Sequence, residues 1–121
     1  VPERWCVWNT TRSRFLATAA FRAHRWPDRL RGLLGTVTLP VGHGLLITPC
    51  RQVHMRGMAY AVCAVYCDRY GRVLACPLLQ PGARGPWVWR ARTVIELPVS
   101  CAAWVRPGDV LAWWPRSLTG R

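Results

Sequence analysis

From Gly44 to Trp114 the chain is a succession of short apolar runs, each soon followed by a turn signal. GLLIT, QVHMRG, YAVCAVYC, GRVLACPLL, TVIELPV and VLAWW contain the β-branched and aromatic residues that favour strands. DRYG at 68–71 has the chemistry of a hairpin turn, with Asp entering and Gly leaving. RPGD at 106–109 reads as a second turn, and SCAAWV at 100–105 as a short turn of helix. Residues 5–8 and 15–21 add two strands across the polar NTTRSR segment. Many short strands with regular turns predict a mainly β domain, a sandwich or partly closed barrel of jelly-roll-like character.

One segment breaks this pattern. In WPDRLRGLLG, residues 26–35, Trp26, Leu30, Leu33 and Leu34 recur at helical spacing. Pro27 suits a first helical turn, Asp28 the positive end of the helix dipole, and Gly35 a left-handed cap. The spacing predicts one short N-terminal helix over 26–34. At 121 residues, a single domain spanning 1–121 is expected.

The chain carries 17 basic and 5 acidic residues, a formal charge of +12, and every basic residue is Arg. Weak, nonspecific retention of polyanions at low salt follows from that balance. No apolar run nears the ~20 residues of a membrane-spanning helix, so no transmembrane segment is expected. A chain starting at Val1 is expected to be processed or trimmed. A cytoplasmic location is the expectation, with export after signal removal as the alternative. Six cysteines, at 6, 50, 63, 67, 76 and 101, form no CxxC pair. They allow 15 disulfide pairings, and packing as reduced, small apolar groups is the preferred reading.

The order of RLRGLLG, GLLITPCRQVHMRGM, VYCDRYGRVL, TVIELPVSCA and VRPGDVLAW resembles the small prokaryotic domain-of-unknown-function family 192, over about residues 15–113. The resemblance implies a mainly β, sandwich-like fold with one short helix near the N-terminus. It implies no activity; some members are exported, and others lie in gene neighbourhoods for tight-adherence pili. A link to cell-envelope or pilus systems is therefore among the expectations. The family pattern Leu/Ile-Asp-x-x-Phe-x-Asp reads VCAVYCD here. Asp68 matches its second Asp, while Cys63 replaces the first.

The stretch from Pro49 to Met58 is the candidate ligand-binding region, with Cys50, His54 and Met58 as its polar or soft side chains and Asp68 at the neighbouring hairpin. Soft donors of these types suit copper or zinc. Residues four apart on one strand, however, stand roughly 13 Å apart, whereas metal bonds are about 2.0–2.3 Å long. No shared metal and no cofactor are expected. Asp68 and Asp109 have turn explanations. Glu96 interrupts an apolar strand, and Arg31 is its expected ion-pair partner. PWVWRAR alternates Trp87, Trp89 and Ala91 on one face with Val88, Arg90 and Arg92 on the other. As a strand it would turn its tryptophans to the core; as a loop it would let both sets meet a ligand. The pairing of residues 60–67 with 72–78 across DRYG has two open registers: a two-residue loop sets Cys63 opposite Cys76, and a three-residue loop with a glycine bulge sets Ala64 there.

The leading expectation is a non-enzymatic binding or accessory domain with an unknown ligand or protein partner. The alternatives are a metal-assisted enzyme using His54 and a carboxylate, and a nonspecific nucleic-acid binder.

Overall fold

A computed structural model of the chain describes residues 3–23 and 38–118. Its strands are β1 (Trp5–Asn9), β2 (Arg14–Ala23), β3 (Gly42–Ile47), β4 (Val62–Cys67), β5 (Val73–Ala75), β6 (Leu78–Leu79), β7 (Thr93–Leu97) and β8 (Leu111–Pro115). They form one sheet in the order β5-β4-β7-β3-β2-β1-β8, with β6 also pairing β4. Only β2 and β3 pair parallel; the other pairs are antiparallel. The two ends of this order meet. Arg72 bridges Val110, the Leu111 amide donates to the Gly71 carbonyl (2.8 Å), and the Val73 amide donates to the Asp109 carbonyl (2.8 Å). The sandwich alternative thus gives way to a single sheet curled into a half-barrel.

The helix expected at 26–34, with its Arg31, lies outside the described residues. Among the described residues helix is confined to two 3-10 turns, Val99–Trp104 and Arg116–Leu118, so an N-terminal helix is not borne out there. The first of these corresponds to the helical turn expected from SCAAWV.

The sheet is buried on both faces at its centre, which is why its middle strands read as near-continuous apolar runs. All six residues of β4 and all five of β7 are buried. Alternate side chains go to opposite sides. Val7, Leu16, Leu46, Cys63, Val65, Cys67, Ile95 and Leu111 fill the inner, concave side. Leu45, Ile47, Val62, Ala64, Tyr66 and Val94 face outward into a second apolar cluster. Two loops cover that outer cluster, 48–60 and 80–92, plugging it with Val53, Met55, Met58 and Ala91.

The two loops hold each other by backbone hydrogen bonds. The amides of Cys50, Val88, Gly85 and Met55 donate to the carbonyls of Arg92, Arg51, Val53 and Ala83, at 2.7–2.9 Å. QVHMRG is therefore not the expected strand; it makes one isolated bridge, His54 to Arg84. PWVWRAR is not a strand either. Gly85 and Pro86 stand at its start, and the Ala91 amide closes a turn onto the Val88 carbonyl.

The hairpin across DRYG forms, with the three-residue loop. Cys67 faces Val73, the Asp68 amide donates to the Arg72 carbonyl, and Gly71 takes a left-handed φ of +85°. A further bulge beyond Cys67 then sets Cys63 opposite Leu78, so neither expected partner of Cys76 holds. Pro77 carries no N–H to extend the ladder, and GRVLACPLL splits there into β5 and β6.

Candidate functional site

The paired loops turn their apolar side chains inward and leave the rest outside. Arg51 leaves the first loop, and Trp87, Trp89, Arg90 and Arg92 leave the second. The β4–β5 hairpin adds Arg69 and Tyr70 from its tip. Between them lie two adjoining clefts. One, of about 400 Å³, is lined by Arg51, Asp68, Tyr70, Trp89, Arg90 and Arg92, among others. The other, of about 420 Å³, is lined by Pro49, Cys50, Arg51, Gln52, Trp87 and Arg92, with Ala91 in both. Arg51 and Arg92 are thus shared, and the clefts form one continuous depression.

The rings here are among the most exposed large apolar groups of the described residues: Tyr70 75%, Trp89 73% and Trp87 60%. Guanidinium groups flank two of them. Arg51 lies 5.7 Å from the Trp89 ring centroid and Arg69 lies 5.0 Å from that of Tyr70. Arg51 Nε also donates to the Trp89 carbonyl (3.0 Å), which fixes the side chain across the boundary between the clefts. Among the described residues the one ion pair joins Arg12 to Asp109, so no carboxylate is ion-paired with Arg51, Arg69, Arg90 or Arg92.

The candidate residues separate. Asp68 lines the first cleft, but its Oδ1 accepts the Tyr70 and Arg72 amides at 2.8 and 2.9 Å, which shapes the turn. Cys50 lines the second cleft and donates its thiol to the Gln52 carbonyl (3.2 Å). Met58 is buried in the outer apolar cluster. His54 sits in the bridge to Arg84 and lines neither cleft. Among the described residues no group of three or more His, Cys, Asp or Glu is placed to hold a metal ion. Glu96 is buried in β7, facing Ala64 and Leu45 on the neighbouring strands, while its expected partner Arg31 is outside the described residues. Of the residues that line the depression, Arg51 falls within the expected Pro49–Met58 region, whereas Trp87, Trp89, Arg90 and Arg92 were open to sequence reasoning only through the loop alternative for PWVWRAR. The Gly85–Pro86 pair at its start was the signal for it.

None of the six cysteines is in a disulfide. Burial pushes Cys63 and Cys67 up from 9.0 to about 12; nearby Cys76 and Cys101 add to the effect on Cys63, and Asp68 and Cys76 to that on Cys67. Such thiols are inert, because the thiolate is the reactive form. At pH 8, Cys63 and Cys67 are expected to resist an aromatic disulfide reagent in the folded protein and to react within minutes once urea unfolds it. The folded form also holds these protons above the unfolded value. Stability from this source is complete below about pH 9 and falls as pH rises toward about 12. Rapid labelling of both residues by mass spectrometry under native conditions contradicts this placement.

No helix among the described residues is long and apolar enough to cross a membrane. No curated protein matches the chain. A crystal structure of a protein of unknown function from Novosphingobium aromaticivorans DSM 12444 is similar in fold, with a TM-score of 0.71 at 17% identity, covering 90% of this chain and 83% of that one. The family model DUF192, an uncharacterized ACR, matches residues 7–113, nearly the whole length, and the chain belongs to that family.

Proposed function

We propose that this protein is a non-enzymatic binding domain that captures an anionic ligand in the depression centred on Arg51 and Arg92. The observation that carries the reading is the side-chain chemistry of the two clefts. Their polar groups are mainly hydrogen-bond donors. Arg51, Arg69, Arg90 and Arg92 supply four guanidinium groups, against one carboxylate, Asp68, whose Oδ1 already accepts the Tyr70 and Arg72 amides. Four guanidinium groups to one carboxylate suit an anionic ligand, and guanidinium forks match phosphate and carboxylate geometry. Each cleft also falls within the ~300–1,000 Å³ usual for ligand sites.

A metal-assisted reaction using His54 and a carboxylate is less well supported. His54 is outside both clefts, and Asp68 has an oxygen committed to its own turn. The association with cell-envelope or pilus systems implied by the family resemblance is compatible with an accessory module of this kind.

The test separates a site from bulk charge. On a phosphate-bearing cation-exchange resin, Arg51→Ser/Arg92→Ser is expected to elute at clearly lower salt than wild type. Arg116→Ser, on the exposed 3-10 turn after β8, serves with Arg106→Ser as an equal-charge control. The slope of log affinity against log salt should fall by roughly two in the cleft variant, about one per lost phosphate contact. Equal shifts in both variants defeat the proposal, since only net charge would then be at work.

A further inference from the structure

We infer that the anionic ligand of this depression is a single-stranded nucleic-acid segment, its bases stacked on Trp87, Trp89 and Tyr70 and its phosphates on the intervening arginines. This rests on the reading of the depression as an anion site and adds what the rings do there. Phosphate capture alone needs no aromatic surface, yet three large rings stand 60–75% exposed around the clefts. Each leaves a large apolar area in water, whereas Val88 and Ala91 of the second loop pack into the outer cluster. Exposed aromatics grouped in one place mark a contact surface.

The arrangement alternates ring and cation. Tyr70 and Trp89 border the first cleft with Arg69, Arg90 and Arg92; Trp87 borders the second, with Arg51 and Arg92 between. That is the pattern single strands require: a cationic track for the backbone with π-faces beside it. The guanidinium contacts at 5.0 and 5.7 Å are near the outer reach, about 6 Å, of a cation–π interaction. They are loose enough for a base to take the ring face and leave the cation for phosphate. A duplex keeps its bases stacked inside and cannot offer them to rings set around a cleft. Neutral sugars also stack on tryptophan, but they bring no charge to match the four guanidinium groups of the lining. An anionic membrane would meet the same residue types, but it favours a protruding surface, and these line two concavities of about 400 and 420 Å³.

The experiment measures fluorescence anisotropy of a fluorescein-labelled oligothymidylate of about ten nucleotides, within the usual site size of about 4–16. Competitors are a duplex of the same length, inorganic polyphosphate and phosphatidylglycerol vesicles. Trp87→Ala/Trp89→Ala is expected to bind the oligonucleotide at least about tenfold more weakly, as lost stacking predicts. Its retention on the phosphate resin should be unchanged. Trp87→Phe/Trp89→Phe, which keeps two flat rings, should recover most of the affinity, and that recovery separates lost stacking from misfolding. Duplex should compete poorly. If both tryptophan variants bind the oligonucleotide like wild type while Arg51→Ser/Arg92→Ser does not, stacking is refuted and the anion site stands. Equal competition by duplex also refutes the inference. Tighter binding to the vesicles, lost in Trp87→Ala/Trp89→Ala, assigns the surface to a membrane and refutes it too. If cleft and control arginine variants alike leave binding unchanged, this inference and the anion site both fail.

Discussion

Asp109→Ala is expected to lower folding stability by about 3 kcal/mol, read as a fall in the urea midpoint at unchanged slope. Asp109 is 4% exposed, at the end of the RPGD turn. Its Oδ2 accepts three hydrogen bonds, from Asn9 Nδ2 (2.9 Å), Arg12 Nε (2.7 Å) and the Arg106 amide (3.0 Å). Asn9 is itself fully buried and also donates to the Trp104 carbonyl (3.0 Å). One carboxylate thus joins the β1–β2 turn to the segment leading into β8. Arg12 is about one-third exposed and can turn to water when the carboxylate is lost. The buried Asn9 amide and the Arg106 N–H have less recourse, and most of the cost lies with them. A loss below about 1 kcal/mol would mean that the cluster adds little beyond ordinary surface substitution.

The same carboxylate predicts acid behaviour. Burial raises its pKa, but the hydrogen bonds from Asn9, Arg12 and Arg106 and the charge of Arg12 outweigh burial and hold it below 3.8. A depressed carboxyl contributes stability that is present above the unfolded value and lost as pH falls through the folded one. Wild type should therefore lose stability below about pH 4 more steeply than Asp109→Ala. Parallel acid-titration curves for the two proteins would contradict the assignment.

Gly71→Ala is the second substitution with a large expected effect, about 3 kcal/mol or more. Gly71 closes the DRYG hairpin with φ +85°, a conformation that costs an ordinary residue roughly 1–2 kcal/mol. The further cost comes from the seam. A Cβ at this position would collide with the Leu111 carbonyl oxygen, at the place where the Leu111 amide bonds the Gly71 carbonyl. The backbone cannot yield without parting β5 from β8. Gly57 provides the comparison: its φ is +81°, and a Cβ there meets nothing within 4 Å. Gly57→Ala should show the conformational cost alone. The difference between the two variants in urea denaturation measures the seam, and equal losses would show that this edge of the half-barrel adds nothing.

Local chemistry carried much of this fold. The Asp68 and Gly71 roles follow from side-chain and backbone preferences acting within four residues, and the two-sided burial is visible as an unbroken apolar run in β4 and as a run interrupted by Glu96 in β7. Hairpin register was only half legible. The glycine bulge could be anticipated, but the second bulge past Cys67, which moved Cys63 opposite Leu78, depends on how β4 also pairs with β7. The turn role of Asp109 was readable from RPGD, whereas its contact with Arg12 spans 97 residues and exists only when the sheet curls.

The candidate site divides along the same line. The sequence by itself determined the ingredients: a strongly basic chain, a hairpin tip at Asp68, and a Trp–Arg segment that alternates. It left open whether that segment was a strand with buried rings or a loop with exposed ones, because alternation describes one strand and does not say which neighbour will cover which face. Tertiary structure decided it. β7 already has β3 and β4 as neighbours, so the segment before it lies across the outer face, paired to residues 50–55. Val88 and Ala91 fill the space available beneath it. Trp87 and Trp89 remain outside with Arg51, Arg90 and Arg92, because whether a ring is buried depends on the volume that distant strands leave for it.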